Sequence, residues 1–121
     1  MYRNYAIFYP FHTSWQYDIG HSFETISAYD AAFYEGQVKR VYGKVEEVYY
    51  SEADRNYYLY FGNPFPYHDF SVVISRRDAK RISIIPEWYF DNHHIVVTGL
   101  ISWFEDKPEI IVKSPSQIQR Y

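Results

Sequence analysis

The chain has 121 residues, a formal net charge of -3 and no cysteine. This length suits one domain with a core of its own, and the lack of thiols excludes disulfide bridges and thiolate metal sites. The small acidic excess lies before Gly36, since residues 36–121 carry equal numbers of acidic and basic side chains, so the net charge gives no overall attraction to nucleic acid.

Aromatic residues make up 22% of the chain, and 15 of them are tyrosines. A tyrosine ring is apolar and its tip is polar, so it suits strands with one wet face and surfaces that hold flat ligands.

The sequence predicts that residues 1–26 form an aromatic, irregular arm and that residues 27–121 form a single domain. Ser27 and Asp30 have the spacing of a capping box, which predicts a short helix from Ala28 to Glu35 that Gly36 ends. The longest apolar run of the arm, residues 5–11, contains a proline and is too short for a membrane span or a signal sequence. We therefore expect no transmembrane segment.

Alternating apolar residues between turn signals predict a mainly β fold with five strands. The predicted strands cover residues 38–50, 57–61, 70–75, 94–104 and 109–113. The length of strand one indicates a bulge near Glu47, and residues 76–84 predict a short helix between strands three and four.

One five-residue motif occurs twice, as Val41-Tyr42-Gly43-Lys44-Val45 in strand one and as Val97-Thr98-Gly99-Leu100-Ile101 in strand four. A glycine between inward β-branched residues lets a buried strand bend sharply. Two bent long strands and three shorter ones predict a five-stranded Greek-key barrel of the oligonucleotide/oligosaccharide-binding (OB) type.

From Ser27 to Ile118 the chain resembles a family of small bacterial OB-fold proteins described as nucleic-acid-binding, many of them exported or lipid-anchored. The resemblance rests on the two glycine motifs, Leu59-x-Phe61-Gly62, residues 70–74, and Pro108-Glu109-Ile110-Ile111-Val112 followed by Pro115-Ser116-Gln117-Ile118. The resemblance implies an exported or cell-envelope protein, although the chain itself contains no signal peptide.

The resemblance also implies that single-stranded nucleic acid binds across strands two and three, with bases stacked on aromatic rings. The predicted ligand-binding residues on the strands are Tyr58 and Tyr60, which point outward on strand two, and Tyr42 and Lys44, which are expected beside them on strand one. Arg55 and Lys107 are expected on the two loops that border the groove. Outward tyrosines also serve as ordinary packing residues. The sequence does not choose between the two roles.

The densest basic cluster, formed by Arg76, Arg77, Lys80 and Arg81, suggests a phosphate site. In an OB barrel the helix after strand three closes one end of the barrel, so we interpret the cluster as a solvated helix face. With few charges converging elsewhere, we expect weak and salt-sensitive binding.

Val96, Leu100 and Ile111 have outward positions on strands four and five. Either the arm covers this apolar face or two chains pair through it, which would make the protein a homodimer.

Catalytic residues, cofactors and metal ligands are not predicted. The carboxylates are scattered over turns, and His93 and His94 are neighbours on a strand, so their rings point to opposite faces. The sequence thus favours a non-enzymatic binding module, for single-stranded nucleic acid first and for a protein or glycan partner of the cell envelope second.

Overall fold

The computed structural model describes residues 24–121, so all but the last three residues of the predicted arm lie outside it. The described strands are β1 (Thr25–Ser27), β2 (Val38–Ser51), β3 (Asn56–Phe61), β4 (Phe70–Ser75), β5 (His94–Leu100), β6 (Ser102–Phe104), β7 (Lys107–Val112) and β8 (Ile118–Arg120). The α-helices are α1 (Arg76–Arg81) and α2 (Pro86–Tyr89), and two 3-10 helices cover Ala28–Tyr34 and Pro115–Gln117.

The strands pair in the order β6-β7-β4-β3-β2-β5-β8, and β1 lies parallel beside β2. β6, at one end of this order, follows β5 after Ile101 alone, and Gly99 of β5 lies against Ile110 of β7. The two sides of the sheet therefore meet, and the sheet closes into a barrel. The predicted mainly β barrel is confirmed, although the strand count differs from five. β2, β3, β4 and β7 are the predicted strands one, two, three and five, strand four is divided into β5 and β6, and β1 and β8 are additional.

A tight turn after Ser51 sets the register of the β2–β3 hairpin. Ser51 pairs with Asn56, which places Tyr49 opposite Tyr58, and the register then shifts between Val45 and Glu47. The predicted bulge near Glu47 is therefore confirmed. Before the bulge, β2 pairs with β5 instead.

The barrel core contains the apolar residues that alternation predicts to point inward. Val41, Val45, Leu59 and Phe61 are fully buried, and every residue of β4 except Ser75 is buried as well. The glycines of the two motifs both lie at close contacts. A Cβ atom on Gly99 would come within 2.7 Å of Ile110 Cγ2, and one on Gly43 would come within 3.0 Å of the Phe61 ring. The strands can bend and pack only because these side chains are missing.

The remaining differences from the predicted elements are helix α2, which the sequence does not predict, and the ends of the predicted elements. Helix α1 stops at Arg81 rather than residue 84, because Ser83 adopts a left-handed φ of 59°. Glu105 and Asp106 are both left-handed, with φ values of 50° and 66°, as a two-residue hairpin turn requires, so β7 begins at Lys107 rather than residue 109. No helix within residues 24–121 is long and apolar enough to cross a membrane.

Candidate nucleic-acid interface

A groove of about 360 Å³ runs across β3 and the loop that follows it. We call it the aromatic groove and define it by Tyr49, Tyr58, Tyr60, Phe65, His68 and Lys107, which all line it. The structure thus brings together three of the six predicted ligand-binding residues, namely Tyr58, Tyr60 and Lys107.

Tyr58 and Tyr60 point to the same face of β3, as alternation predicts. Their rings are nearly parallel, with 6.1 Å between centroids and 9° between planes. Tyr60 is nevertheless only 6% exposed, because His68 and Phe65 pack against it at centroid distances of 4.6 and 5.5 Å. The expectation that Tyr60 stands open to solvent is wrong, since the loop after β3 covers it.

The more accessible rings of the groove are Tyr49, 53% exposed, and Phe65, 60% exposed. Sequence reasoning missed both residues. It placed Tyr42 and Lys44 beside the strand-two tyrosines, whereas the hairpin register puts Tyr49 opposite Tyr58 and Glu47 opposite Tyr60. Counting back from the turn at residues 51–56 identifies Tyr49 from sequence, but nothing in the sequence fixes the position of Phe65.

Two hydrogen bonds to side chains of β7 and β2 help to hold the loop of residues 62–69 over β3. The Lys107 ammonium donates a 2.7 Å hydrogen bond to the carbonyl oxygen of His68, and the backbone N–H of Phe65 donates to Glu47 Oε1 at 3.2 Å. Lys107 therefore contributes both a charge at the groove and a link between β7 and the loop.

His68 is 6% exposed, and its Nδ1 has no hydrogen-bond partner within residues 24–121. Burial lowers the pKa of the imidazole, and the Lys107 charge lowers it further against the opposing effect of Asp69. His68 is therefore a neutral ring at pH 7. It packs face to face with Phe65, with 5.8 Å between the ring centroids.

The other three predicted ligand-binding residues lie elsewhere. Tyr42 and Lys44 line a separate groove of about 420 Å³, because their part of β2 pairs with β5 and not with β3. Arg55 has a left-handed φ of 57° in the β2–β3 turn and lines a third groove of about 510 Å³. The expectation that Tyr42 and Lys44 lie beside the strand-two tyrosines is wrong, whereas the role of Arg55, on the loop between β2 and β3, stays a prediction.

The apolar face predicted on strands four and five is not continuous in the described part of the chain. Val96 and Leu100 are half-buried, and Val96 lines a groove of about 250 Å³ with Arg40 and Thr98. Ile111 is only 6% exposed and lines the same groove as Arg55. The predicted covering of this face by the arm involves residues that lie outside the described residues 24–121. Pairing of two chains through this face stays a prediction.

Residues 24–121 contain no group of three His, Asp or Glu side chains placed to hold a metal ion. His93 and His94 are both exposed, and they have different neighbours. His93 contacts Arg120, and His94 packs against Tyr121.

No family model and no curated protein matches the sequence. Solved structures do match the fold. The aspartyl-tRNA synthetase of Entamoeba histolytica is 13% identical with a TM-score of 0.58, over 87% of this chain and 22% of the synthetase. OBody AM1L10 bound to hen egg-white lysozyme is 15% identical, with a TM-score of 0.55, over 84% of this chain and 96% of the OBody.

Pot1pC of Schizosaccharomyces pombe, bound to single-stranded DNA, is 14% identical with a TM-score of 0.53, over 84% of this chain and 87% of Pot1pC. This chain spans only about a fifth of the length of the synthetases it matches. At these identities the likeness concerns architecture, and it agrees with the closed Greek-key sheet. The chain folds as an OB barrel.

Proposed function

We propose that the protein is a non-enzymatic module that binds single-stranded nucleic acid in the aromatic groove. The observation that carries the proposal is the set of rings on one face of the β2–β3 hairpin: Tyr49 and Phe65 are more than half exposed, and Tyr58 lies beside the buried Tyr60. Every base has a flat π-face, so such rings bind bases of any sequence.

In this proposal Tyr49, Tyr58 and Phe65 stack bases, while Tyr60 and His68 support them from below. Stacking contributes about 1 to 3 kcal/mol per base when measured by alanine substitution, so two or three rings give useful affinity without a strong positive field. The single-stranded DNA bound to Pot1pC supports the choice of ligand class.

Intrinsic fluorescence tests the proposal, because the chain has 15 Tyr and 3 Trp residues. We expect single-stranded DNA or RNA of about 12 nucleotides to quench the emission saturably at low salt, and duplex DNA of the same sequence to bind more weakly because its bases are already stacked. Absence of saturable quenching by either single strand would contradict the proposal.

A protein partner is the second candidate, with the cell-envelope location that the family resemblance implies. Exposed aromatic rings away from the groove favour it: Phe33 and Trp88 are each 81% exposed and Tyr29 is 73% exposed. The lysozyme complex of the OBody supports a protein ligand on this fold. Light scattering over a range of concentrations tests self-association, and a mass above 14.7 kDa that Phe33→Ser or Trp88→Ser restores to the monomer value would favour this candidate.

A further inference from the structure

The groove that contains Arg55 differs from the aromatic groove in its charge. It is lined by five basic residues, Arg55, Arg76, Arg77, Lys80 and Lys113, and by two acidic ones, Asp54 and Asp78. We call it the basic groove. It has a volume of about 510 Å³ and lies where the β2–β3 turn, the start of α1 and the end of β7 meet.

Both carboxylates of the basic groove are already engaged. Asp78 is 3% exposed and accepts a 2.9 Å hydrogen bond from the Arg81 guanidinium. Asp54 accepts hydrogen bonds from the Tyr58 hydroxyl and from the backbone N–H of Asn56. Within residues 24–121, Arg76, Arg77 and Lys80 form no salt bridge and are exposed. The groove therefore presents an excess of positive charge to solvent.

The placement of the arginines is not explained by helix stability. Arg76 and Arg77 are the first two residues of α1, where a positive charge opposes the helix dipole and the exposed N–H groups. The interpretation of this cluster as a solvated helix face agrees with its exposure, but it does not explain why Arg55 and Lys113, from other elements, converge on the same groove.

The two grooves adjoin at the β2–β3 turn. Ser51, at one end of the turn, lines the aromatic groove, and Asp54 and Arg55 line the basic groove. The hydrogen bond from Tyr58 to Asp54 links a side chain of one groove to a side chain of the other. A backbone hydrogen bond of 2.9 Å from Arg76 N–H to the Arg55 carbonyl oxygen fixes the turn against α1.

The aromatic groove lacks the charge that a polyanion needs, because Lys107 is offset there by Glu105 and His68 is neutral. We propose that the basic groove binds the phosphates of the nucleic acid strand after the strand leaves the aromatic groove. The inference rests on the proposed function. It defines the path of the bound strand over the protein surface, from Phe65 past Tyr58 and over the β2–β3 turn to Arg76 and Arg77.

Two lengths of single-stranded DNA, about 5 and about 12 nucleotides, test this path within the range of site sizes known for OB folds. The test variant is Arg76→Gln/Arg77→Gln. It removes two positive charges at solvent-exposed positions, so we expect it to fold as the wild type does. Arg40→Gln is the control for loss of an arginine outside both grooves, because Arg40 lies in the groove beside Val96. Affinity is measured by fluorescence at several salt concentrations.

We expect the double variant to bind the 12-mer at least fivefold more weakly at low salt and the 5-mer within twofold of wild type. The slope of log affinity against log salt should decrease by about 1.4 for the 12-mer, at about 0.7 per lost phosphate contact. Arg40→Gln should keep the wild-type slope.

An unchanged slope, or an equal loss for both lengths, would overturn the path through the basic groove while leaving binding in the aromatic groove intact. Failure of the wild-type protein to bind either oligonucleotide would instead overturn the proposed function, and the inference with it.

Discussion

Tyr58 and Tyr60 differ in burial although they occupy equivalent outward positions on β3. Tyr60 is 6% exposed beneath Phe65 and His68, whereas Tyr58 is half-buried and hydrogen-bonded to Asp54. The first residue supports the groove, and in our proposal the second contacts a base. Alanine substitution separates these two roles.

Tyr58→Ala should weaken binding of single-stranded DNA by about 5- to 150-fold, the equivalent of 1 to 3 kcal/mol, with a smaller effect on the free energy of unfolding. Tyr60→Ala should lower that free energy by about 3 to 5 kcal/mol, the cost of removing a buried aromatic ring. Tyr58→Phe is the control, since it keeps the ring and should bind within about threefold of wild type. Oligonucleotide titration and urea denaturation measure the two effects, and equal affinity of Tyr58→Ala and wild type would contradict the assignment.

His68 makes stability depend on pH. Its pKa in the folded state lies below the value of about 6.5 expected when unfolded, because the ring is buried beside Lys107. Its stabilising contribution is therefore fully present above about pH 6.5. Below that pH the unfolded state binds more protons, so the free energy of unfolding falls.

His68→Phe should lose less stability than wild type between pH 7.5 and pH 5, because it keeps a ring against Tyr60 but cannot titrate. His94→Phe is the matched control, since it makes the same substitution at an exposed histidine outside the aromatic groove. Urea denaturation at both pH values gives the comparison, and parallel losses in wild type and His68→Phe would disprove the role of His68.

At the scale of the element, the loop of residues 62–69 completes the aromatic groove. It places Phe65 and His68 over β3, and its contacts to the barrel include the Lys107 and Glu47 hydrogen bonds. Lys107 acts from β7, so the loop depends on a strand distant in the sequence.

Lys107→Met should increase amide hydrogen exchange in residues 63–68, because the link to the His68 carbonyl is lost while the aliphatic part of the side chain is kept. Lys44→Met is the matched control, as Lys44 is exposed on β2 and lines a different groove. Mass-spectrometric exchange resolves this segment. Unchanged exchange there in Lys107→Met would mean that the hydrogen bond does not hold the loop.

Close packing between β5 and β7 depends on the missing side chain of Gly99. Gly99→Ala should destabilise the fold by about 1 to 3 kcal/mol, because the new Cβ would lie 2.7 Å from Ile110 Cγ2. Ile110→Ala removes that methyl group at its own cost, so Gly99→Ala should cost less in the Ile110→Ala background. Denaturant unfolding of the four proteins in this cycle measures the coupling, and additive losses would contradict the contact.

The sequence predicts these elements well where one physical signal dominates. Alternation identifies Val41, Val45 and Leu59 as core, and the length of strand one predicts the bulge near Glu47. The site is less predictable, because the burial of Tyr60 depends on the path of the loop that carries Phe65. The place of Tyr42 depends on whether its part of β2 pairs with β3 or β5, and alternation specifies faces of a strand but not its partner.

At the scale of the whole molecule, the aromatic groove and the basic groove are distinct surfaces that adjoin at the β2–β3 turn. The aromatic groove has rings but little net charge, and the basic groove has five basic side chains, from the β2–β3 turn, α1 and the end of β7. A chain with a formal net charge of -3 can still bind a polyanion through such a local excess, with an affinity that falls as salt screens it.

Chemical-shift mapping of the backbone amides during titration with single-stranded DNA tests the central claim most directly, because it locates the ligand without altering the protein. We predict that the largest shifts fall on Tyr49, Tyr58 and the loop of residues 62–69, with small shifts on β8 and around Val96. Shifts that cluster around β8 and Val96 instead, or no saturable shifts at all, would contradict the assignment of the aromatic groove as the nucleic-acid site.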